Sequence, residues 1–119
     1  MFPTSKSNTV VQTTIANGTA LSAPVAMADF DAGSVITPAA WTAAAIAFKV
    51  CDTFGGTYVP LRGATGAVLE ITNVVASGAF PLPAELHTCQ YFKLWSETAG
   101  AGTDTNQGAD RIMTVMLKS

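Results

Sequence analysis

The chain has 119 residues and a mass of 12.2 kDa, enough for one domain and too little for two. Hydrophobic residues make up 49%, but 20 of them are alanine; charged residues are only 12%, about half the usual share. This balance excludes a disordered chain, and a net charge of −2 with no Lys/Arg cluster excludes a typical nucleic-acid binder. So sparse a charge suggests a surface largely covered by other protein.

Residues 1–8 (MFPTSKSN) are polar and aperiodic and are expected to form an extended arm, with residues 9–119 as one domain. One lysine and no continuous apolar run argue against a secretory leader, so cytoplasmic synthesis is expected. TVVQTTIA, Asn17-Gly18 and TALSA together read as a hairpin. SVIT reads as a short strand stopped by Pro38, and PAAWTAAA as an irregular crossing too short for a helix. AAIAFKVCD alternates, with Ile46, Phe48 and Val50 on one face, and predicts a strand with Phe48 inward. Its apolar run, residues 39–50, is broken by Thr42 and Lys49 and is too short to span a membrane.

Gly55-Gly56 marks a turn before a strand over residues 58–61, and Pro60 makes that strand an edge. GAVLEITNVVA predicts another strand, with Leu69, Ile71 and Val74 packed. SGAFPLPAELHTCQ reads as a crossover with a turn of helix near residues 84–86. YFKLWSE alternates again, Phe92 and Leu94 opposing Tyr91, Lys93 and Trp95, and DRIMTVMLK closes the chain as a strand apolar on both faces. Short strands at even spacing, punctuated by Gly and Pro, predict an all-β fold: an antiparallel β-sandwich or jelly roll.

Chemistry finds little foothold. Any Ser-His-Asp triad must use His87, the single histidine, and no nucleophile elbow is present. His87 with Cys89 is a weak thiol-enzyme pairing, and one histidine cannot build a site that needs two imidazoles. Cys51 and Cys89 are expected as buried free thiols. Asp29 and Asp31 read as a solvated turn rather than a glycosidase pair. Asp104, Asn106 and Asp110 resemble the start of a calcium loop, but Gly108 stands at the third ligand position, and a polar loop capping the last strand is the simpler reading. Arg111 is expected to pair with a carboxylate. No catalytic residue, cofactor or metal is therefore assigned. Phe2, Pro3, Trp41, Tyr91 and Trp95 are the candidate contact residues. If the Tyr91/Trp95 face looks outward, it offers either a protein interface or a sugar-stacking platform.

Three segments carry a resemblance: ITPAAWTAAAIAFKVCDTFGGTYVPL, FPLPAELHTCQYFKLWSE and DTNQGADRIMTVMLK. In this order they resemble small proteins encoded in the structural gene modules of tailed bacteriophages, over residues 34–118. Trp95 stands where that family often has a charged or small residue. The resemblance implies a virion component. The resulting expectation is a non-enzymatic decoration or cement protein on the capsid shell. It would be a dimer or trimer bound to the major capsid protein, without nucleic acid or membrane. The arm would dock by strand addition. The alternative is a carbohydrate-binding or adhesion module of a fibre, tail or baseplate, since jelly rolls with a YFKLW-like strand also resemble discoidin-like sugar-binding domains.

Overall fold

The computed structural model describes residues 8–119; the expected arm, with Phe2 and Pro3, lies outside the described residues except for Asn8, which opens the first strand. The fold is the expected antiparallel β-sandwich. One sheet runs β1 (Asn8–Ile15), β10 (Arg111–Lys118), β3 (Ala32–Ile36) and β7 (Ala79–Pro81), in that order. The other runs β2 (Val25–Ala26), β8 (Tyr91–Thr98), β4 (Ala45–Cys51) and β5 (Val59–Pro60); β6 (Glu70–Ile71) also pairs with β4, and β9 (Thr103–Asp104) with β8.

Alternation decides what lies between the sheets. Ile15 from β1, Val35 from β3 and Met113, Val115 and Leu117 from β10 point inward from the first sheet. Ile46 and Phe48 from β4 and Phe92 and Leu94 from β8 meet them from the second, and all are buried. Phe48 and Phe92 pack edge to face, with ring centroids 6.2 Å apart. Gly33 belongs to this layer because nothing larger fits. A Cβ there would lie 2.8 Å from the Met116 carbonyl oxygen and from methyl carbons of Leu82 and Leu117.

Several expected elements take another form. Asn17-Gly18 does turn the chain, with Gly18 at φ 76°, but the expected hairpin is reduced to a single antiparallel bridge between Ile15 and Ser22. The full length of β1 pairs with β10, from Asn8 opposite Lys118 to Ile15 opposite Arg111. The turn is captured instead by the segment before β10: Gly18 N–H donates to the Gln107 carbonyl (2.8 Å) and Gln107 N–H to that of Thr19 (2.9 Å). The chain then crosses to the second sheet, where Ser22 N–H donates to Leu94 and β2 joins β8. The strand expected in GAVLEITNVVA shrinks to Glu70–Ile71, because the backbone turns left-handed at Asn73 (φ 57°). Leu69, Ile71 and Val74 are half-buried. Pro60 does sit in an edge strand, and residues 84–88 form a short 3₁₀ turn.

Gln107 ties the two sheets together. It is buried, and its Oε1 accepts from Thr42 N–H (2.9 Å) and Arg111 Nε (3.1 Å), while its Nε2 donates to the Thr42 carbonyl and the Ser96 hydroxyl. Arg111 therefore does not meet the expected carboxylate. Its Nη2 donates to the Thr42 hydroxyl at 3.1 Å. The neutral amide oxygen gives the guanidinium an acceptor without placing a second charge in the interior.

Candidate functional site

The two sheets present very different outer faces. On the first, the outward positions of β1 are Asn8, Val10, Gln12 and Thr14, set against Lys118, Met116, Thr114 and Ile112 of β10. Ser34 and Ile36 of β3 continue the surface. Val10 is 67% exposed, Ile112 53% and Met116 36%, and Lys118 at the far end is the one charged residue among these positions. This is a pleated, apolar and hydroxyl-rich face open to solvent.

The second sheet turns Tyr91, Lys93, Trp95 and Glu97 of β8 outward, beside Cys51, Lys49, Ala47 and Ala45 of β4. Trp95 is not the exposed platform the sequence suggested. Only 3% of it is accessible, because Ala20, Leu21, Ala47 and Val68 close around it. Its indole N–H donates to the Asp104 carboxylate at 2.7 Å, and the Lys49 ammonium lies 4.5 Å above its ring. Tyr91 is half-buried and meets the exposed Phe54 edge to face at 5.8 Å. Lys93 lies 4.6 Å above the ring of Tyr58, whose hydroxyl donates to the Phe54 carbonyl. Burial, and then the neighbouring Cys51 and Tyr91, raise the Tyr58 hydroxyl above its ordinary pKa, so it stays neutral at physiological pH. Trp41 lies elsewhere, half-buried against the core with its indole N–H on the Ala44 carbonyl. Tyr91 and Trp95 thus share one face, and Trp41 does not join them.

Beside Trp95, a cleft of about 310 Å³ is lined by Pro60, Arg62, Val68, Glu70 and the turn Gly100–Gly102. Beneath that turn lies Glu97, a buried carboxyl that the sequence reading did not single out. Gly102 N–H donates to its Oε2 at 3.1 Å, whereas Oε1 has no hydrogen-bond partner among the described residues. Glu70 fastens the same turn, both its oxygens accepting from Gly100 N–H (3.0 and 3.2 Å). Burial pushes the Glu97 pKa up to about 7; Glu70 adds to this as an acceptor favouring a protonated neighbour and as a like charge, and the Gly102 N–H opposes it.

The remaining candidates separate. Asp104 serves Trp95 and Asp110 accepts from Asn17 N–H at 2.7 Å, so the two ends of the suggested calcium loop are committed to different partners. No group of three or more His, Cys, Asp or Glu side chains among the described residues could hold a metal ion. Asp29 and Asp31 are exposed in the turn before β3. Cys51 and Cys89 are free but half-exposed rather than buried, and both line a groove of about 350 Å³ at the end of β4. His87 has its Nε2 buried without a partner.

No protein-family model matches the chain, and no curated protein matches its sequence. Among solved structures, the chain is similar in fold to the SPBc2 prophage-derived protein YomS. The TM-score is 0.65 and the identity 11%, over 100% of this chain and 99% of that one. The likeness covers both sheets from end to end, so the whole architecture is one that the prophage protein shares.

Proposed function

We propose that this chain is a non-enzymatic structural protein of a bacteriophage virion, a decoration or cement protein that seats on the capsid shell. The observation that carries this reading is the end-to-end likeness to a prophage-derived protein of matching length. It joins the resemblance of residues 34–118 to products of phage structural modules. The outer faces say what work such a protein would do. The first sheet exposes Val10, Ile112 and Met116 on an uncharged pleated surface that solvent alone does not reward.

A second copy of this chain is the occupant this face suits. It has no charge pattern with which to select a charged partner, and across a two-fold axis the same Val, Met, Ile and Thr side chains meet themselves. The second sheet is left to face the shell. Bridging neighbouring shell subunits then adds buried area at their junctions and resists the outward pressure of packaged DNA. The adhesion-module alternative is the less favoured reading, because Trp95, one of the rings a sugar would stack on, is buried with the Lys49 ammonium over it.

Mass spectrometry of purified particles tests the reading. Hundreds of copies per particle are expected of a shell protein. A dozen or fewer would move it to the neck, baseplate or fibre, and absence from particles would overturn it.

A further inference from the structure

Lys49 and Lys93 are direct cross-strand partners on β4 and β8, on the outward face of the second sheet. Like charges directly opposite in a sheet repel and destabilise the pairing. Among the described residues neither lysine forms an ion pair, and the nearby Asp104 carboxylate is engaged by the Trp95 indole N–H. Each ammonium is instead held over an aromatic ring, Lys49 over Trp95 and Lys93 over Tyr58. The rings fix where the charges stand without neutralising them, since a cation over a π-face keeps its full charge. Arg62, exposed at the adjoining cleft and held by its Nη1 on the Gly66 carbonyl, adds a third cation, while Glu70 in that cleft is taken up by Gly100 N–H. The described cations are few, and half the chain's six Lys and Arg residues stand on this one face of a molecule with a net charge of −2. The exposed side chain of Phe54, packed edge to face on Tyr91, borders the strip.

From this we infer that the Lys49–Lys93 pair, framed by Tyr58, Tyr91 and Trp95, is a binding site for the carboxylate side chains of an acidic polypeptide segment. Charge complementarity selects the ligand, because an acidic side chain lying between the two ammonium groups relieves a repulsion that the fold leaves standing. The apolar border suits a polypeptide, whose acidic residues sit beside uncharged ones. A nucleic acid would require a longer ladder of cations spaced along a phosphate backbone. A uronic-acid glycan would stack on a ring beside the charges, and the rings of Trp95 and Tyr58 carry the two ammonium groups instead. The inference rests on the virion reading only in naming the chemistry of the shell partner; the site itself follows from the register and the ring contacts.

The test is an NMR titration of the full chain with a poly-glutamate peptide at low salt. Saturable binding is expected, with shifts at Lys49, Lys93, Tyr58 and Tyr91, weakening as salt rises. Lys49→Gln/Lys93→Gln should weaken it at least tenfold, while Lys118→Gln, on the other sheet, should leave it unchanged. Thermal melts of the double variant keep the test interpretable: removing the repulsion should leave the melting temperature equal or higher, whereas lysines serving only the fold would lower it. Equal binding by the double variant overturns the site. So does equal weakening by Lys118→Gln, which would mean a response to net charge alone. Tighter binding of hyaluronate or a DNA oligonucleotide at these residues overturns the partner class. Poly-glutamate binding by a protein missing from particles would leave this site standing and remove the virion reading; particle association indifferent to the double variant would do the reverse.

Discussion

The two sheets solve the problem of an outer face in opposite ways. The first leaves Val10, Ile112 and Met116 in the open with no charge among them until Lys118. The second gathers lysines, aromatics and acids, then covers much of the result with the turns around residues 62–68 and 99–102. An uncovered apolar face gains most from burial against another molecule. A charged, partly covered face gains little from burial but much from selecting its partner. The difference suggests a division of labour, with the first sheet for association and the second for recognition.

The comparison presupposes that both sheets fold as one body, and Gln107 is where that can be broken. Gln107→Leu removes four hydrogen bonds and leaves the Arg111 guanidinium facing a hydrocarbon. A loss of about 4 to 5 kcal/mol is expected in urea denaturation, at roughly 1 kcal/mol net for each neutral bond and about 1.5 for the bond to the Arg111 guanidinium. The transitions of Trp41 and Trp95 should shift together. Separate transitions would mean that the sheets are independent and the division of labour accidental.

A smaller effect is expected on the second sheet alone. Trp95→Phe keeps the ring under Lys49 but removes the N–H that binds Asp104 at 2.7 Å. Because Asp104 is exposed and regains water, a loss of about 1.5 kcal/mol is expected, at the low end for a bond to a charged group. No loss would mean that Asp104 is not what anchors β9 to β8.

The acids sharpen the contrast further, since among the two outer faces only the second contains a buried carboxyl. Glu97 titrates at about 7 in the folded chain and near 4.5 as an ordinary glutamate. Between those pH values the folded state holds more proton than the unfolded one, so stability falls as pH rises from 4.5 through 7. On this group's account the protein is most stable below pH 4.5 and carries the full cost of ionisation above 7. The melting temperature is expected to be higher at pH 5 than at pH 8 once the other groups are subtracted by comparison with Glu97→Gln, which should flatten the dependence. A variant with the same pH profile as the parent would assign the titration to another group.

Alternation made the core legible in advance. Phe48, Phe92 and Leu94 stand where period-two patterning puts them, because burial on one face leaves its mark within a single strand, whereas DRIMTVMLK, apolar on both faces, did not show which half turns inward. Partners are a different matter. Asn17-Gly18 announces a turn truthfully, but which strand follows depends on Gln107, far along the chain. GAVLEITNVVA looks extended by composition, yet one left-handed residue, Asn73, ends the strand. The outward direction of the lysine pair was legible: AFKVC and YFKLW both place Lys directly after an inward Phe. Their register across the sheet, and the burial of Trp95 and Glu97 under distant loops, are long-range facts that no local pattern encodes.

The smallest expected change in folding is on the first sheet, and it is the most direct test of the division. Val10 and Ile112 are more than half exposed, so Val10→Lys/Ile112→Lys exchanges solvent-facing side chains and should alter stability by no more than about 0.5 kcal/mol each. The same changes place two charges in the middle of the face that a second copy would cover. In a dimer related by a two-fold axis those charges appear twice, buried and without partners, and association should weaken at least tenfold in sedimentation experiments. Binding of poly-glutamate to the other face should be unaffected. If the variant associates as the parent does, the apolar face is not the seam between copies, and if it instead loses only the acidic ligand, the two sheets have exchanged the roles assigned to them.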